Sequence, residues 1–189
     1  AGQTSVVVDI GGITTDLALI LSGKPLLSSK GARVKEHLTQ VRALAVKSVA
    51  LGGDSAIRVM NGYLEVGPER EGPACCLGGS VPTPTDALRV LGLTDIGEEA
   101  LARAAIRELS AKLSSELVSS GEDLVTATAR LVLNIVVDRM IREIEEMFLA
   151  WEQEPAYRVW EMMQKERVRP QNVVGVGGSA SSLIPLVAE

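Results

Sequence analysis

Two adjacent glycines separate two strand-like segments near the start of the chain. Ser5 to Ile10 is rich in β-branched residues, Gly11 and Gly12 follow, and apolar and polar residues then alternate from Thr14 to Leu21. Such runs, bounded by glycine, are typical of strands joined by a turn. The pattern predicts an antiparallel hairpin, continued by a third strand from Leu26, and it commits the chain to a fold built around a sheet.

Helical periodicity dominates the second half of the chain. Apolar residues recur at three- and four-residue steps in Glu98–Ser119 and in Asp123–Trp151, which predicts two long helices. Asn172–Val176 has the composition of a short buried strand. Shorter helices are predicted at Thr85–Leu91, Tyr157–Lys165 and Ser179–Val187, the last interrupted at Pro185. The predicted fold class is α/β, with a mixed sheet begun by an antiparallel hairpin and flanked by helices that include two long ones.

Residues 31–82 differ from the rest of the chain because they are punctuated by glycines. Short apolar runs at Val46–Leu51, Ile57–Met60 and Tyr63–Val66 predict short strands with loops between them. We interpret residues 31–82 as a strand-and-loop insertion. The length of 189 residues favours a single domain over 1–189 that contains this insertion.

Composition and charge argue against two classes of partner. The chain has 19 basic and 24 acidic residues, mixed throughout, so its net charge of -5 offers no cationic field for a nucleic acid backbone. Apolar runs such as Leu131–Val137 are far shorter than the roughly 20 residues that cross a bilayer. Cys75 and Cys76 are adjacent, and adjacent cysteines rarely reach disulfide geometry without strain. We expect a cytoplasmic protein that binds neither nucleic acid nor membrane.

The segment from Asp9 to Asp16 contains the residue types that bind a nucleotide phosphate. Glycines at a turn between strands allow close backbone approach, and successive N–H groups there can form an anion-binding concavity. Threonine hydroxyls can donate to phosphate, and a magnesium ion that keeps its waters needs few carboxylates. The predicted phosphate contacts are Gly11, Gly12, Thr14 and Thr15, and the predicted Mg²⁺ contacts are Asp9 and Asp16. The alternative is an ordinary hairpin with glycines in its turn and polar residues capping its ends.

A second glycine-rich turn lies near the end of the chain. Gly177 and Gly178 follow the predicted strand, and Ser179 opens the predicted helix. Close backbone approach and a helix N-terminus would both face a ligand at such a turn. Many α/β proteins make this turn without a ligand, so the motif gains weight only as the partner of the first.

The residues of the hairpin resemble a known phosphate motif. Asp9–Asp16 is similar to a phosphate motif of the superfamily of actin, heat-shock chaperones and sugar kinases. Three further segments, Leu51–Ile57, Val66–Cys75 and Thr83–Ala87, narrow the resemblance to the hydantoinase/oxoprolinase family. That family includes the A subunit of ATP-dependent hydantoinases and a related acetone carboxylase subunit. The four motifs occur in the family's order, and the resemblance covers nearly the whole chain.

The resemblance implies a ribonuclease H-like fold that forms one half of an actin-like ATPase domain. ATP and Mg²⁺ lie between two such halves, so the hairpin would be the second of two phosphate loops, and Gly177, Gly178 and Ser179 would face the adenosine side. A missing N-terminal half or partner subunit would supply the first loop. The implied enzyme is an ATP-dependent hydrolase that activates a cyclic amide by phosphoryl transfer. This chain alone would be incomplete, and no catalytic residue is assigned within it.

Two departures from the family pattern support other hypotheses. Asp54 stands where the family usually has a third glycine, and Ile13 where it usually has a small or hydroxyl residue. Negative charge from Asp54 near a phosphate, together with the missing first phosphate loop, favours a non-catalytic actin-like module that binds nucleotide or regulates, and that contacts a partner subunit. A third hypothesis is an α/β domain that has kept the fold and lost the ligand.

The single histidine and the two cysteines are not assigned catalytic roles. His37 is the only histidine, which excludes a metal site with several histidines within this chain, and it is interpreted as a polar loop residue. Cys75 and Cys76 are interpreted as buried packing residues because nothing pairs them with a base. Leu51–Ser55 is either the wall of a ligand cleft or a turn of the insertion, and the resemblance favours the cleft.

Overall fold

A computed structural model describes residues 3–28, 31, 33–34, 37–39, 41, 43–113, 123–153 and 169–188 of the chain. The strands are β1 (Ser5–Ile10), β2 (Thr15–Leu21), β3 (Lys24–Pro25), β4 (Arg33–Val34), β5 (His37–Leu38), β6 (Val46–Val49), β7 (Ile57–Met60), β8 (Tyr63–Val66) and β9 (Asn172–Val176). The helices are α1 (Pro84–Val90), α2 (Glu99–Ser110), α3 (Leu124–Glu152) and α4 (Ala180–Val187), and a short 3₁₀ helix lies at Cys75–Leu77.

The central sheet is mixed and has five strands. β1 lies between β2, its antiparallel neighbour, and β9, its parallel neighbour. The other edge of β2 pairs with β6 over Thr15–Ala18 and with β3 over Ile20–Leu21, both antiparallel. Parallel neighbours need a crossover connection, and the chain that includes α1, α2 and α3 provides it. The predicted mixed sheet begun by an antiparallel hairpin is confirmed.

One face of the sheet is buried because strand residues alternate sides. Val6, Val8 and Ile10 on β1 are buried and lie opposite Leu19, Leu17 and Thr15 on β2, which continue the same buried row. β9 brings Gly175 beside Val8 on this face, and a Cβ there would lie 2.4 Å from Ile184 of α4. The missing side chain lets α4 pack closely on β9.

α3 supplies the longest apolar face in the described chain, as the sequence predicts. Val125, Ala129, Val132 and Val136 are buried at steps of three and four residues, and they join a core shared with α1 and α2. Leu124, one of the apolar residues at helical spacing in the predicted helix, is 45% exposed because its side chain points about 100° round the helix from that of Val125. The helix begins and ends within one residue of the predicted bounds.

α2 is shorter than predicted. The sequence predicts a helix over Glu98–Ser119, whereas α2 ends at Ser110, and positions 114–119 of that prediction lie outside the described residues. Tighter i→i+3 bonds follow, from Lys112 to Leu109 at 3.0 Å and from Leu113 to Ser110 at 3.3 Å. The Ser110 hydroxyl also donates to the carbonyl of Arg107 at 2.7 Å, a local bond that competes with helix continuation.

The predictions of the third strand and of the shorter helices are confirmed only in part. The third strand begins earlier than Leu26 and is only Lys24–Pro25, followed by an isolated bridge between Leu27 and Leu44. α4 continues through Pro185 and is not interrupted there. α1 begins and ends within a residue of its predicted bounds. The predicted helix at Tyr157–Lys165 lies outside the described residues.

The strands predicted within residues 31–82 are confirmed, but they serve two sheets. β6 belongs to the central sheet through β2, while β7 and β8 form a separate hairpin that turns at Asn61 and Gly62. Both turn residues have positive φ, 53° and 83°, as the favoured two-residue hairpin turn requires. The interpretation of this region as an insertion in a single domain stays a prediction.

None of the helices in the described part of the chain combines the length and apolar character needed to cross a bilayer.

Candidate functional site

Three loops meet at the end of β1, and we call this meeting point the glycine junction. It consists of the hairpin turn Gly11–Thr14, the loop Leu51–Ser55 that follows β6, and the turn Gly177–Ser179 between β9 and α4. The two glycine-rich motifs are 160 or more positions apart in the chain, yet parallel pairing of β1 with β9 places them side by side. Leu51–Ser55 completes the junction.

The hairpin turn is held by its carbonyl oxygens. The N–H of Gly53 donates to the Gly11 carbonyl at 2.9 Å, and the N–H of Asp54 donates to the Gly12 carbonyl at 2.8 Å. A Cβ on Gly52 would lie 2.6 Å from the Gly11 and Gly12 backbone, so no larger residue fits there without movement. These contacts fix the direction of both peptide groups in the turn.

The fixed carbonyls determine where the N–H groups point. In a trans peptide the C=O and the following N–H point in opposite directions. Since the carbonyls of Gly11 and Gly12 face the loop Leu51–Ser55, the N–H groups of Gly12 and Ile13 face away from it. Among the described residues, the N–H groups of Gly12, Ile13 and Thr14 donate no hydrogen bond. The exposed turn therefore presents successive unpaired donors, the arrangement that binds anions.

The two threonines of the motif occupy opposite sides of the hairpin. Thr14 is exposed beside the unpaired N–H groups, while Thr15 is 1% exposed and its hydroxyl donates to the Leu51 carbonyl at 2.7 Å. The Thr15 proton is thus engaged within the protein and ties the hairpin to the loop. Of the two threonines among the four predicted phosphate contacts, only Thr14 has its hydroxyl at the exposed turn.

The two predicted magnesium contacts lie directly opposite each other. Asp9 of β1 pairs with Asp16 of β2 in the ladder, so both side chains project from the sheet face away from the buried row of Val8 and Ile10. Ser48 of β6, opposite Asp16, donates its hydroxyl to the Asp16 carboxylate. Within the described residues neither carboxylate has a basic partner. Like charges directly opposite are destabilising, so this pair favours a bound cation.

Direct coordination by a protein cage is not the arrangement seen. The described residues contain no group of three His, Cys, Asp or Glu side chains that could hold a metal. A hydrated magnesium ion fits better, since it keeps several waters and is bound through one or two carboxylates together with substrate phosphates. Asp9 and Asp16 beside the turn offer that chemistry.

The second glycine turn packs against the end of β1. Gly177 has φ of +100°, and a Cβ there would lie 2.2 Å from the Ile10 carbonyl oxygen and 3.0 Å from Asp9 Oδ1. Ser179 reaches the other loop, since its Oγ lies 2.6 Å from the Cβ position of Gly53. Gly178 has open space at its Cβ position. All three predicted residues therefore lie at the glycine junction.

Sequence reasoning missed a positive charge at this site. Arg70 donates from Nε and Nη2 to Asp54 Oδ2 at 3.0 and 2.9 Å. The same oxygen lies 2.7 Å from the Cβ position of Gly12. The negative charge of Asp54 is therefore paired with the positive charge of Arg70. The positions of these two residues in the sequence do not predict this ion pair. Ser48 was also missed, and no motif in the sequence marks it.

Asp86 and the two cysteines form a structural cluster. The fully buried Asp86 carboxylate accepts from the backbone N–H groups of Cys75, Cys76 and Thr83 at 2.7–3.0 Å, and from the Thr83 hydroxyl at 3.1 Å. Burial, followed by the nearby charge of Asp86, raises the pKa of Cys75 to about 11 and that of Cys76 to about 12. Cys76 is buried as predicted, whereas Cys75 is only half-buried. Thiols with raised pKa values are poor nucleophiles near neutral pH.

Comparison with protein families gives a match that covers the entire chain. The hydantoinase/oxoprolinase model matches residues 1–189. The chain belongs to the hydantoinase/oxoprolinase family. The resemblance seen in the four sequence motifs is thereby confirmed. No curated protein matches the chain.

Solved structures with the same fold include two ATP-dependent enzymes. The ATP-dependent caprolactamase from Pseudomonas jessenii matches with a TM-score of 0.68 and 22% identity, over 100% of this chain and 26% of that chain. A nucleotide-free acetone carboxylase, studied for ATP-dependent acetone carboxylation, matches with a TM-score of 0.61 and 20% identity, over 78% of this chain and 22% of that chain. The predicted α/β fold class, with a mixed sheet begun by an antiparallel hairpin and flanked by helices, is confirmed. The chain spans about a quarter of the length of these enzymes.

Proposed function

We propose that this chain is the Mg-ATP-binding half of an ATP-dependent hydantoinase/oxoprolinase-type enzyme that acts on a cyclic amide. The observation that carries the proposal is the exposed hairpin turn, where unpaired N–H groups lie beside the opposed carboxylates of Asp9 and Asp16. The N–H groups can bind an anion, and the unneutralised carboxylates beside them can bind a cation. A magnesium–phosphate ligand matches this arrangement because it carries both a negative and a positive charge.

Each part of the glycine junction has a role in the proposal. The N–H groups of Gly12 and Ile13, with the Thr14 hydroxyl, bind phosphate oxygens, and Asp9 and Asp16 bind waters of the magnesium ion. Gly11 keeps the turn tight through its N–H, which donates to the Thr14 carbonyl at 2.9 Å.

Two other residue sets complete the site. Thr15 positions the turn through Leu51 rather than by touching phosphate. Gly177, Gly178 and Ser179 face the adenosine side, where α4 begins.

Magnesium, when bound, offsets the charge of the phosphates and favours phosphoryl transfer. The contribution of this chain is positioning and electrostatic stabilisation, the two effects on which phosphoryl transfer chiefly depends. The transferred phosphoryl would activate the amide oxygen of the substrate before hydrolysis. The chain spans about a quarter of the related enzymes. In this proposal, an N-terminal half or a partner subunit supplies the opposite wall of the nucleotide cleft and the amide site.

The rival hypothesis, a nucleotide-binding or regulatory module without turnover, drew support from the negative charge of Asp54. Pairing with Arg70 removes that support, because the carboxylate no longer stands alone beside the turn. The charge of Asp54 therefore no longer favours the regulatory module over the enzyme.

Phosphate release from ATP by the intact protein, with its partner subunit if it has one, tests the proposal. We expect hydrolysis that requires Mg²⁺ and increases when a cyclic amide is supplied. D9N should remove this activity, and D138N, at an exposed position of α3, should leave it unchanged. Tight Mg-ATP binding with no turnover over a broad panel of cyclic amides would favour the regulatory module instead.

A further inference from the structure

The ion pair of Asp54 and Arg70 lies at the mouth of the hairpin turn. Both donating nitrogens of Arg70 bind one oxygen, Asp54 Oδ2, and that oxygen lies 2.7 Å from the Cβ position of Gly12. The N–H of Asp54 is also bonded to the Gly12 carbonyl. The cation is therefore attached to the same turn that presents the unpaired N–H groups.

The backbone around Arg70 is anchored, so its position follows from the fold. The N–H of Ala56 donates to the Glu69 carbonyl, and the N–H of Gly67 donates to the Ala56 carbonyl, both at 2.8 Å. These two bonds hold the segment before Arg70 against the residues that follow Asp54. The side chain can reach the turn without any rearrangement of the chain.

The acidic neighbours of Arg70 in sequence do not neutralise it. Glu69 and Glu71 both pair with Arg58, an arginine of β7. Within the described residues Asp54 is the only acceptor of Arg70, and a guanidinium has more N–H donors than the two used here. Donors therefore remain for a second anion.

The pair is also easy to rearrange. Arg70 is 39% and Asp54 21% exposed, and exposed ion pairs contribute little net stability. A phosphate group can form charge-assisted, bidentate bonds with a guanidinium. Such bonds are stronger than the present arrangement, in which two N–H groups share one carboxylate oxygen. A phosphate at the turn can therefore share Arg70 with Asp54 at small cost.

We propose that Arg70 binds the terminal phosphate of the nucleoside triphosphate at the hairpin turn, and that Asp54 is the positioning residue that holds it there. This inference rests on the proposed function. It assigns the turn, rather than the Gly177–Ser179 side, to the γ-phosphate end of the nucleotide. The protein would then distinguish a triphosphate from a diphosphate through one cation.

Binding of Mg-ATP and Mg-ADP to the intact protein, measured by titration calorimetry, tests this assignment. We expect R70Q to weaken Mg-ATP binding by about tenfold to a hundredfold, as loss of a charged hydrogen bond does, and to change Mg-ADP binding less than threefold. R70K should restore part of the ATP preference. R58Q removes a similarly exposed arginine whose partners among the described residues are glutamates, and it should change neither affinity.

Asp54 is tested by the same ratio of affinities. D54N should lower the preference for Mg-ATP over Mg-ADP, and it should lower it no further in the R70Q background. A merely structural role of Asp54 would change both affinities together and leave their ratio unchanged.

Each other result overturns a defined part of the account. If wild-type protein binds both nucleotides and R70Q keeps the wild-type ratio, the role of Arg70 is wrong while the proposed function stands. Equal weakening of both nucleotides would also exclude a terminal-phosphate contact. Absence of Mg-ATP binding in the wild type would contradict the proposed function together with this inference. A D54N protein with an increased ATP preference would show that Asp54 opposes the phosphate and does not position Arg70.

Discussion

Gly177 packs directly against Ile10, and a Cβ on Gly177 would lie 2.2 Å from the Ile10 carbonyl oxygen. This contact joins the two glycine-rich motifs, because Ile10 ends the first strand of the hairpin and Gly177 opens the turn before α4. Glycine is required at this position for two reasons: the close approach to Ile10 and the φ of +100°.

G177A should therefore destabilise the domain strongly. The left-handed backbone conformation costs about 1–3 kcal/mol for a non-glycine residue, and the overlap with Ile10 adds to it. G178A is the matched control, because its Cβ position has open space and its φ is not positive. Urea unfolding of the intact protein should show a lower midpoint for G177A alone. Equal midpoints for the two variants would contradict the packing described here.

Thr14 and Thr15 should separate ligand binding from stability. T15V leaves the buried Leu51 carbonyl without its donor, which costs about 1–3 kcal/mol and should speed hydrogen exchange in peptides that cover Leu51. T14V removes an exposed hydroxyl, so it should leave exchange unchanged and weaken Mg-ATP binding. If T15V weakened binding with no change in exchange, Thr15 would be a direct phosphate contact.

Asp86 should be a structural carboxylate rather than a functional one. D86N replaces an acceptor of four hydrogen bonds with an amide that cannot accept them all, and each buried donor left unpaired costs about 1–3 kcal/mol. We expect a lower melting temperature and faster hydrogen exchange over residues 75–90. E69Q, at an exposed carboxylate, should change neither quantity. A wild-type melting temperature for D86N would contradict this role.

The cysteines should be unreactive in the folded protein. Because burial raises the pKa of Cys76 to about 12, its thiolate fraction at pH 8 is at least a hundredfold smaller in the folded than in the unfolded chain. Iodoacetamide labelling, followed by peptide mass spectrometry, should be slower by that factor in buffer than in urea. Equal labelling rates would show that the thiol is accessible and ionised.

The same pKa values predict the sign of a pH effect on stability. Folded-state values of about 11 for Cys75 and about 12 for Cys76 lie above the ordinary value of 9.0. Their contribution to folding stability is therefore fully present below about pH 9 and is lost as the pH rises through about 11 and 12. The loss of stability above pH 9 should be smaller in a variant with both cysteines replaced by serine.

The parts of the fold that could be predicted are those whose residues show a local periodicity in the sequence. Alternation around Gly11 and Gly12 gave the hairpin, and three- and four-residue steps gave α3. The end of α2 could not be found this way, because side-chain and i→i+3 bonds near Ser110 end it where the sequence has no glycine or proline.

The site was predictable in its residues and less so in their roles. Period-two alternation implies that Thr14 and Thr15 face opposite sides, so the burial of Thr15 follows from a signal already present in the hairpin. Arg70 and Ser48 had no such signal. Both reach the site through loop and strand pairings across the chain, which local sequence does not encode.

The central claim is that the hairpin binds Mg-ATP through Asp9 and Asp16, and calorimetric titration of the intact protein with Mg-ATP tests it most directly. We predict saturable binding that is lost when EDTA removes the magnesium. It should be weakened at least tenfold in D9N and D16N, and unchanged in D138N. D9N should also melt no lower than the wild type without nucleotide, because it removes a repulsion between opposed carboxylates. No binding heat in the wild type, or equal affinity in D9N, would contradict the claim.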